Sequence, residues 1–227
     1  MEFPIRINKY LALKNYSTRK GADKLIESKF VKINGKIAKL GDKVQREDIV
    51  TVQKNSIKND YVYFAYNKPI GISTNKEKNT KDILGVTKFP KKVFPVGRLD
   101  KDSHGLIILT NDGRITDKLL SPSYYHEKEY VVKVEPNFSD KFIELMGNGV
   151  RFDKYVSKKC KIWRDGKSKD RFHIILTEGK KRQIRRMSEA LHHKVIDLKR
   201  IRIMNMELGK LPLGEFREIK DSELNTL

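Results

Sequence analysis

The sequence predicts an α+β protein in two parts, a small N-terminal domain and a larger domain built on a mixed, mainly antiparallel sheet flanked by helices. Three observations carry that expectation. Within about fifty residues, two short helical patterns are followed by a hairpin, enough for a miniature domain. Lys54 to Asp60 is then polar and basic, with no periodicity, as a linker would be. Beyond it, short alternating strands are spread over residues 61–66, 106–110, 130–134, 172–177 and 200–203. The expected boundaries are 1–54 for the first domain, 55–60 for the linker and 61–227 for the second domain.

In the first part, Ile7, Tyr10 and Leu11 recur at i, i+3 and i+4, which marks a helix. Asn15-Tyr16-Ser17 interrupts it, and Ser17 is a good N-cap for a second helix with Ala22, Leu25 and Ile26 on one face. Thr18, Arg19 and Lys20 fill its first turn. Cations there oppose the helix macrodipole, so a sequence carrying two points to an anion nearby. The free N–H groups of the helix N-terminus would suit a phosphate. Phe30–Ile33 alternates as a strand, Asn34-Gly35 is a tight-turn signal, and Ile37-Ala38 and Ile49–Val52 supply further short strands.

The second part opens with the β-rich stretch Tyr61–Tyr66, which ends at the turn Asn67-Lys68-Pro69-Ile70-Gly71. Thr74 to about Lys92 reads as a charged loop. Val93–Val96 and Leu106–Thr110 are two apolar strands enclosing a polar loop, and Asn111-Asp112-Gly113 turns into a helix over Arg114–Leu120. His126–Val134 is the next strand, with Tyr130, Val132 and Val134 on one face. A helix follows over Phe138–Met146, then strands over Cys160–Trp163 and Phe172–Thr177. Glu178-Gly179-Lys180-Lys181 leads into a helix starting near Arg182, with Ile184, Met187 and Leu191 as its apolar stripe and basic residues crowding its first turn. The last strand lies near Arg200–Ile203, Leu211–Glu215 closes the domain, and Asp221-Ser222 caps a final helical turn.

Composition narrows the partners. A net charge of +20 with pI near 9.8 favours a polyanion, of which nucleic acid is the commonest. One cysteine, Cys160, allows no intramolecular disulfide and points to an intracellular, cytoplasmic setting. No apolar stretch approaches the roughly 20 residues of a membrane span, and Met1-Glu2-Phe3-Pro4 begins no apolar segment of signal-peptide length.

The chemistry available is correspondingly limited. The five histidines show no metal-ligand spacing, there is no nucleophile elbow, and no Gly-rich phosphate loop is present. What remains is the loop between the two apolar strands, Gly97-Arg98-Leu99-Asp100-Lys101-Asp102-Ser103-His104-Gly105-Leu106. Taken alone it reads equally well as a charged turn or as a site on a rigid scaffold. Asp100 is its candidate nucleophile, if a neighbouring cation favours the carboxylate. Asp102 reads as a loop-stabilising residue.

Four motifs then act together. Gly97-Arg98-Leu99-Asp100 with Gly105-Leu106 resembles the catalytic loop of the RNA pseudouridine synthases. Lys128-Glu129-Tyr130 is similar to that family's strand tyrosine, Asn67-Lys68-Pro69-Ile70-Gly71 to its first motif, and Glu178-Gly179-Lys180-Lys181-Arg182-Gln183-Ile184-Arg185-Arg186-Met187 to its third. The N-terminal stretch resembles the alpha-L RNA-binding fold through Asn8-Lys9-Tyr10-Leu11, Ser17-Thr18-Arg19-Lys20 and Val31-Lys32-Ile33-Asn34-Gly35. That domain, and Arg-Arg-Met after Gln-Ile, resemble the RsuA branch more than the RluA branch. Val93–Asn111, His126–Tyr130, Lys158–Lys161, Arg202–Asn205 and Pro212–Glu215 look closest to members acting on 23S rRNA.

The resemblance implies an isomerase that converts uridine to pseudouridine without cofactor, metal or net water. Asp100 would be the nucleophile, paired with and kept charged by Arg185. Tyr130 would stack on the base and take part in proton removal at C5, and Ile184 would pack on the other face. The target uridine must leave its stack, with Arg98 filling the gap. Arg182, Lys180 and Lys181 would hold phosphates, Lys68 would belong to the substrate site, and Arg19 and Lys20 would contact RNA phosphates from the small domain. The implied partner is 23S rRNA or a large-subunit precursor, with another rRNA site or a tRNA anticodon uridine as the alternative substrate, and the implied state is a monomer. A non-catalytic RNA-binding or ribosome-assembly protein is the reading from another class; it has no need of Asp100, Tyr130 and Arg185 together.

Overall fold

The computed structural model describes residues 3–14, 16–53, 61–120 and 126–224, so the expected linker, residues 55–60, lies outside the described residues. The chain divides into two compact units, Met1–Tyr61 with Asp112–Lys118, and Val62–Asn111 with Leu119–Leu227.

The first unit holds β1 (Ile5–Arg6), α1 (Ile7–Leu13), α2 (Arg19–Glu27), β2 (Val31–Ile33), β3 (Lys36–Ile37), β4 (Lys43–Val44) and β5 (Val50–Val52). Strand β2 lies between β3 and β5, all antiparallel, and β1 pairs with β4. Asn34 and Gly35 both adopt positive φ, 49° and 79°, as the favoured two-residue hairpin loop requires. Ile7, Leu11, Ala22, Ile26, Val31 and Val44 form the core between helices and strands. The N-cap of α2 is Thr18, one residue later than the sequence pattern suggests: its Oγ1 accepts from the Gly21 N–H at 2.9 Å, satisfying one orphan donor of the first turn. Arg19 and Lys20 are therefore the first two helical residues; both are exposed, and no acidic residue shares their turn.

The second unit contains β6 (Tyr63–Lys68), α3 (Ile83–Val86), β7 (Phe94–Val96), β8 (His104–Thr110), β9 (Lys128–Glu135), α5 (Asp140–Asn148), β10 (Arg151–Phe152), β11 (Tyr155–Val156), β12 (Lys161–Arg164), β13 (Arg171–Leu176), α6 (Gln183–Ala190), β14 (Lys194–Ile203), β15 (Met206–Glu207), β16 (Phe216–Glu218) and α7 (Asp221–Leu224). Helix α4 (Arg114–Leu120) begins where the Asp112-Gly113 turn predicts it. The main sheet runs β12-β13-β9-β14-β8-β6-β16, with β7 on β8 and β15 on β14. Among its described pairings only β14 with β8 is parallel, which makes the sheet mixed and mainly antiparallel.

Helices α5 and α6 bury Phe142, Met146, Ile184 and Met187 against Val132, Phe172 and Ile174 of the sheet. A second cluster joins Phe64, Tyr66, Ile107 and Leu109 to Ile83 of α3 and to Val93. Short α3 lies in the stretch read as a charged loop; four residues are too few for a helical period to register in sequence. Its Asp82 cap accepts from the Gly85 N–H at 2.7 Å. The last long strand starts at Lys194, well before Arg200; register shifts after Val195 and Arg200 break the alternation that would have marked its full length in sequence.

Candidate active site

The loop between β7 and β8 is held by its backbone. Thr74 Oγ1 donates to the Leu99 carbonyl at 2.7 Å and accepts from the Leu99 N–H at 3.0 Å. The Gly71 N–H donates to the Lys101 carbonyl at 2.8 Å, and the Ser103 N–H closes back on the Asp100 carbonyl at 3.0 Å. Arg200 of β14 spans the two arms of the loop: its Nε donates to the Leu106 carbonyl at 2.6 Å and its Nη1 to the Arg98 carbonyl at 3.5 Å. The parallel contact that brings Arg200 there pairs it with Gly105. Gly105 has φ of 104°, and a Cβ on it would overlap the Arg200 carbonyl oxygen, so only glycine fits.

Asp102 and Asp100 sit in different surroundings. Both Asp102 carboxylate oxygens accept from Arg182, at 3.0 and 2.8 Å, and Arg185 Nε lies 3.4 Å from Oδ2. Partial burial alone would raise the Asp102 carboxyl; the Arg182 hydrogen bonds and the Arg185 and Arg182 charges outweigh it and hold the group below the usual carboxylate range. Arg185 also donates to the Asp102 carbonyl at 2.8 Å, to Ser103 Oγ at 3.2 Å and to the Val195 carbonyl at 3.0 Å. The expected Arg185–Asp100 pair is thus corrected. The side chain leaves α6 toward the Asp102–Ser103 end of the loop, where three acceptors converge, and among the described residues no ion pair involves Asp100. Arg185 still feels the Asp100 charge, while burial pulls its guanidinium down. Arg182 is the left-handed cap residue before α6, at φ 53°, not part of its first turn.

Lys68, the last residue of β6, is fully buried and off the cavity wall. Its Nζ donates to the Pro69 carbonyl at 2.9 Å and the Ile72 carbonyl at 2.7 Å. Burial pushes the amine down to about 8, against the opposing pull of the Asp100 and Asp102 charges.

Seven of the expected residues share one cavity of about 710 Å³: Arg98, Asp100, Tyr130, Lys180, Lys181, Arg182 and Ile184. Its volume falls in the range of ordinary small-ligand sites. Tyr130 comes from β9 and Ile184 from α6; Tyr130 packs on the same core to which Ile184 belongs. Arg98, Lys180, Lys181 and Arg182 are exposed, and Lys180 Nζ sits over the Tyr155 ring at 4.6 Å. Arg185 and Lys68 are brought to the loop but not to the cavity, while Arg19 and Lys20 belong to the other compact unit.

Sequence reasoning missed Thr74, Lys128 and Arg200. Lys128 sits in the Lys-Glu-Tyr motif, where only the tyrosine drew attention. Arg200 sits inside a strand, and a charged residue in a strand interior is itself a signal, since such residues are seldom buried without a purpose.

A scaffolded acidic loop facing a cavity rimmed with basic side chains defines a candidate active site, and comparison with known proteins gives the family. Residues 62–190 match the RNA pseudouridylate synthase family, and residues 5–50 match the S4 domain. The dual-specificity RNA pseudouridine synthase RluF of Shigella flexneri is 44% identical over 225 residues, covering 97% of this chain and 77% of the relative. Ribosomal large subunit pseudouridine synthase B of Bacillus subtilis (strain 168) is 36% identical over 231 residues, covering 98% and 95%. A crystal structure of a pseudouridylate synthase superposes with a TM-score of 0.71 at 30% identity, covering 97% of this chain and 98% of the other. The chain belongs to the RNA pseudouridine synthase family and is an isomerase. Its N-terminal segment is an S4 domain. No helix among the described residues is long and apolar enough to cross a membrane.

Proposed function

We propose that the substrate is a uridine of 23S rRNA, or of a large-subunit precursor, and that Asp100 is the nucleophile. The observation that carries the assignment is the cavity that collects Asp100, Tyr130 and Ile184 from a loop, a strand and a helix. In this reading the flipped base lies between the Tyr130 ring and the Ile184 side chain, with the ribose toward Asp100. An Asp100 oxygen bonds to ribose C1′ as the N1–C1′ bond breaks, and the base leaves with the glycosidic electron pair. The base then turns and rejoins through C5, displacing the carboxylate. The C5 proton is lost and N1 gains one, so substrate and product are isomers.

Arg98, beside Asp100 and exposed, fills the space the base vacates. Lys180, Lys181 and Arg182 border the cavity mouth as phosphate contacts, with Arg182 also fastening α6 to the loop through Asp102. Arg185 and Lys68 act through the loop. Ribosomal RNA is favoured by the relative named for the large ribosomal subunit, and a second RNA substrate by the dual specificity in the name of the RluF relatives. An RNA substrate supports a cytoplasmic setting.

The test is tritium release from uracil C5 of 23S rRNA and tRNA transcripts, with the product nucleotide mapped. Release from 23S rRNA at one position is expected. Release from tRNA alone would overturn the target, and none from either RNA would overturn the activity.

A further inference from the structure

The cavity contains more positive charge than the roles above require. Lys128, half-buried, and Arg200, 4% exposed, both line it beside Asp100 and Tyr130. Strand register explains how they meet. Arg200 pairs with Tyr130 and Ile203 with Lys128, with the shift between Arg200 and Arg202 interrupting the alternation of β14. The bulge turns Leu198, Arg200 and Ile203 toward the cavity, whereas Arg202 bonds Glu129 and Glu127 at 2.8 and 3.0 Å. Among the described residues neither Lys128 nor Arg200 has a carboxylate partner. Lys128 Nζ donates only to the His126 carbonyl, at 3.2 Å, and Arg200 Nη2 is buried with no hydrogen-bond acceptor. A buried donor left unmade, as Arg200 Nη2 is, is costly, and two cations lining one cavity repel. Burial and the Arg200 charge pull the Lys128 amine down.

Such a pair suits an anion that exists only part of the time. We propose that Lys128 and Arg200 bind the uracil anion as the N1–C1′ bond breaks, a reading that rests on the isomerase mechanism above. In that step Asp100 gives up its charge on bonding to C1′, and the base takes the charge with the electron pair of the broken N1–C1′ bond, delocalised from N1 onto its two carbonyl oxygens. The net charge is unchanged but moves from the loop into the cavity, toward donors that are already in place and need no reorganisation. Electrostatic stabilisation of this kind raises kcat without tightening the ground-state complex.

Lys128→Met tests the idea, because Lys128 holds no loop carbonyl and methionine keeps the apolar stem. The assay is single-turnover tritium release on labelled 23S rRNA transcript, with RNA affinity measured separately. The expected result is a loss of roughly a hundredfold in the saturated rate, the scale of one preorganised donor, with affinity within about twofold. Lys128→Arg should restore most of the rate. Arg200→Lys, which keeps a charge but loses the fork, should fall between. A weakened affinity with an unchanged saturated rate would show that the pair holds an RNA phosphate, and would overturn the proposal. An unchanged rate in Lys128→Met would overturn it while leaving the isomerase reading intact; absence of turnover in the unmodified protein on any RNA would remove both.

Discussion

Lys68 offers a prediction in which protonation can be read as stability. The buried amine has a pKa of about 8, against 10.5 for a lysine in an unfolded chain. The folded state therefore favours the neutral form, and the unfolded chain binds the extra proton between those values. The slope of unfolding free energy with pH is positive in that window. Below pH 8 Lys68 is protonated in both states and carries its full burial penalty; as pH rises from about 8 to about 10.5 that penalty disappears. A shift of 10.5 to 8 corresponds to roughly 3 kcal/mol. The neutral amine still has two N–H groups for the Pro69 and Ile72 carbonyls, so its hydrogen bonds survive. Lys68→Met removes the titration and leaves two carbonyls unpaired, a cost independent of pH. Urea unfolding of both proteins from pH 7 to 10.5 gives the difference directly, free of other titrating groups. The unmodified protein should gain about 3 kcal/mol on the variant across the range. A flat difference, or one falling with pH, would refute the burial argument.

Asp100→Asn should abolish turnover and leave RNA affinity largely intact, since the amide keeps the shape but cannot act as nucleophile; turnover within tenfold of normal in tritium release would refute the assignment. Asp102→Asn should cost much less in rate. It should nonetheless lower the melting temperature by a few degrees, because it weakens a bidentate pair to half-exposed Arg182 and the counter-charge of more buried Arg185, together about 1–2 kcal/mol. An unchanged melting curve would show that those pairs add nothing. Arg19 and Lys20 changed together to Ala should weaken RNA binding and flatten its salt dependence by about one unit per lost phosphate contact, with the saturated rate preserved. Normal affinity and salt slope would mark that turn as an ordinary solvated face.

Much of the fold was legible because its long elements bury one face. The period of two in Tyr130, Val132 and Val134 and the apolar run Leu106–Thr110 locate the central strands, and Asn34-Gly35 locates the hairpin to the residue. What escaped was whatever depends on a partner distant in sequence. Two- and three-residue strands such as β1 and β16 exist only through β4 and β6, and carry no pattern of their own. Thr18 and Ser17 are equally good caps in sequence; only helix geometry selects the hydroxyl that meets Gly21. The residue types around the loop were legible by resemblance, but their pairings were not, because Asp100 and Asp102 are two positions apart on a loop whose path is set by Thr74, Gly71 and Arg200.

In the proposed mechanism, that path decides which carboxylate reacts. A carboxylate engaged on both oxygens by a guanidinium is stabilised where it is, and moving its electrons toward a sugar carbon would mean breaking two charge-assisted hydrogen bonds. Asp102 is in that position, with Arg182 on both oxygens and Arg185 behind. Asp100 has the loop's backbone fixed around it and has no ion pair to break among the described residues, while Lys68 and Arg185 lie close enough for their charges to register without occupying its oxygens. One aspartate takes up the arginines and sets the loop's shape; the other is left facing the cavity with cations at a distance. Exchanging the two roles would require Arg185 to swing to Asp100. That would strip its bonds to the Asp102 carbonyl and to the part-buried Val195 carbonyl, and a buried acceptor left unmet costs about 1–3 kcal/mol. The division of labour between two neighbouring carboxylates is thus set by where the backbone acceptors for Arg185 lie.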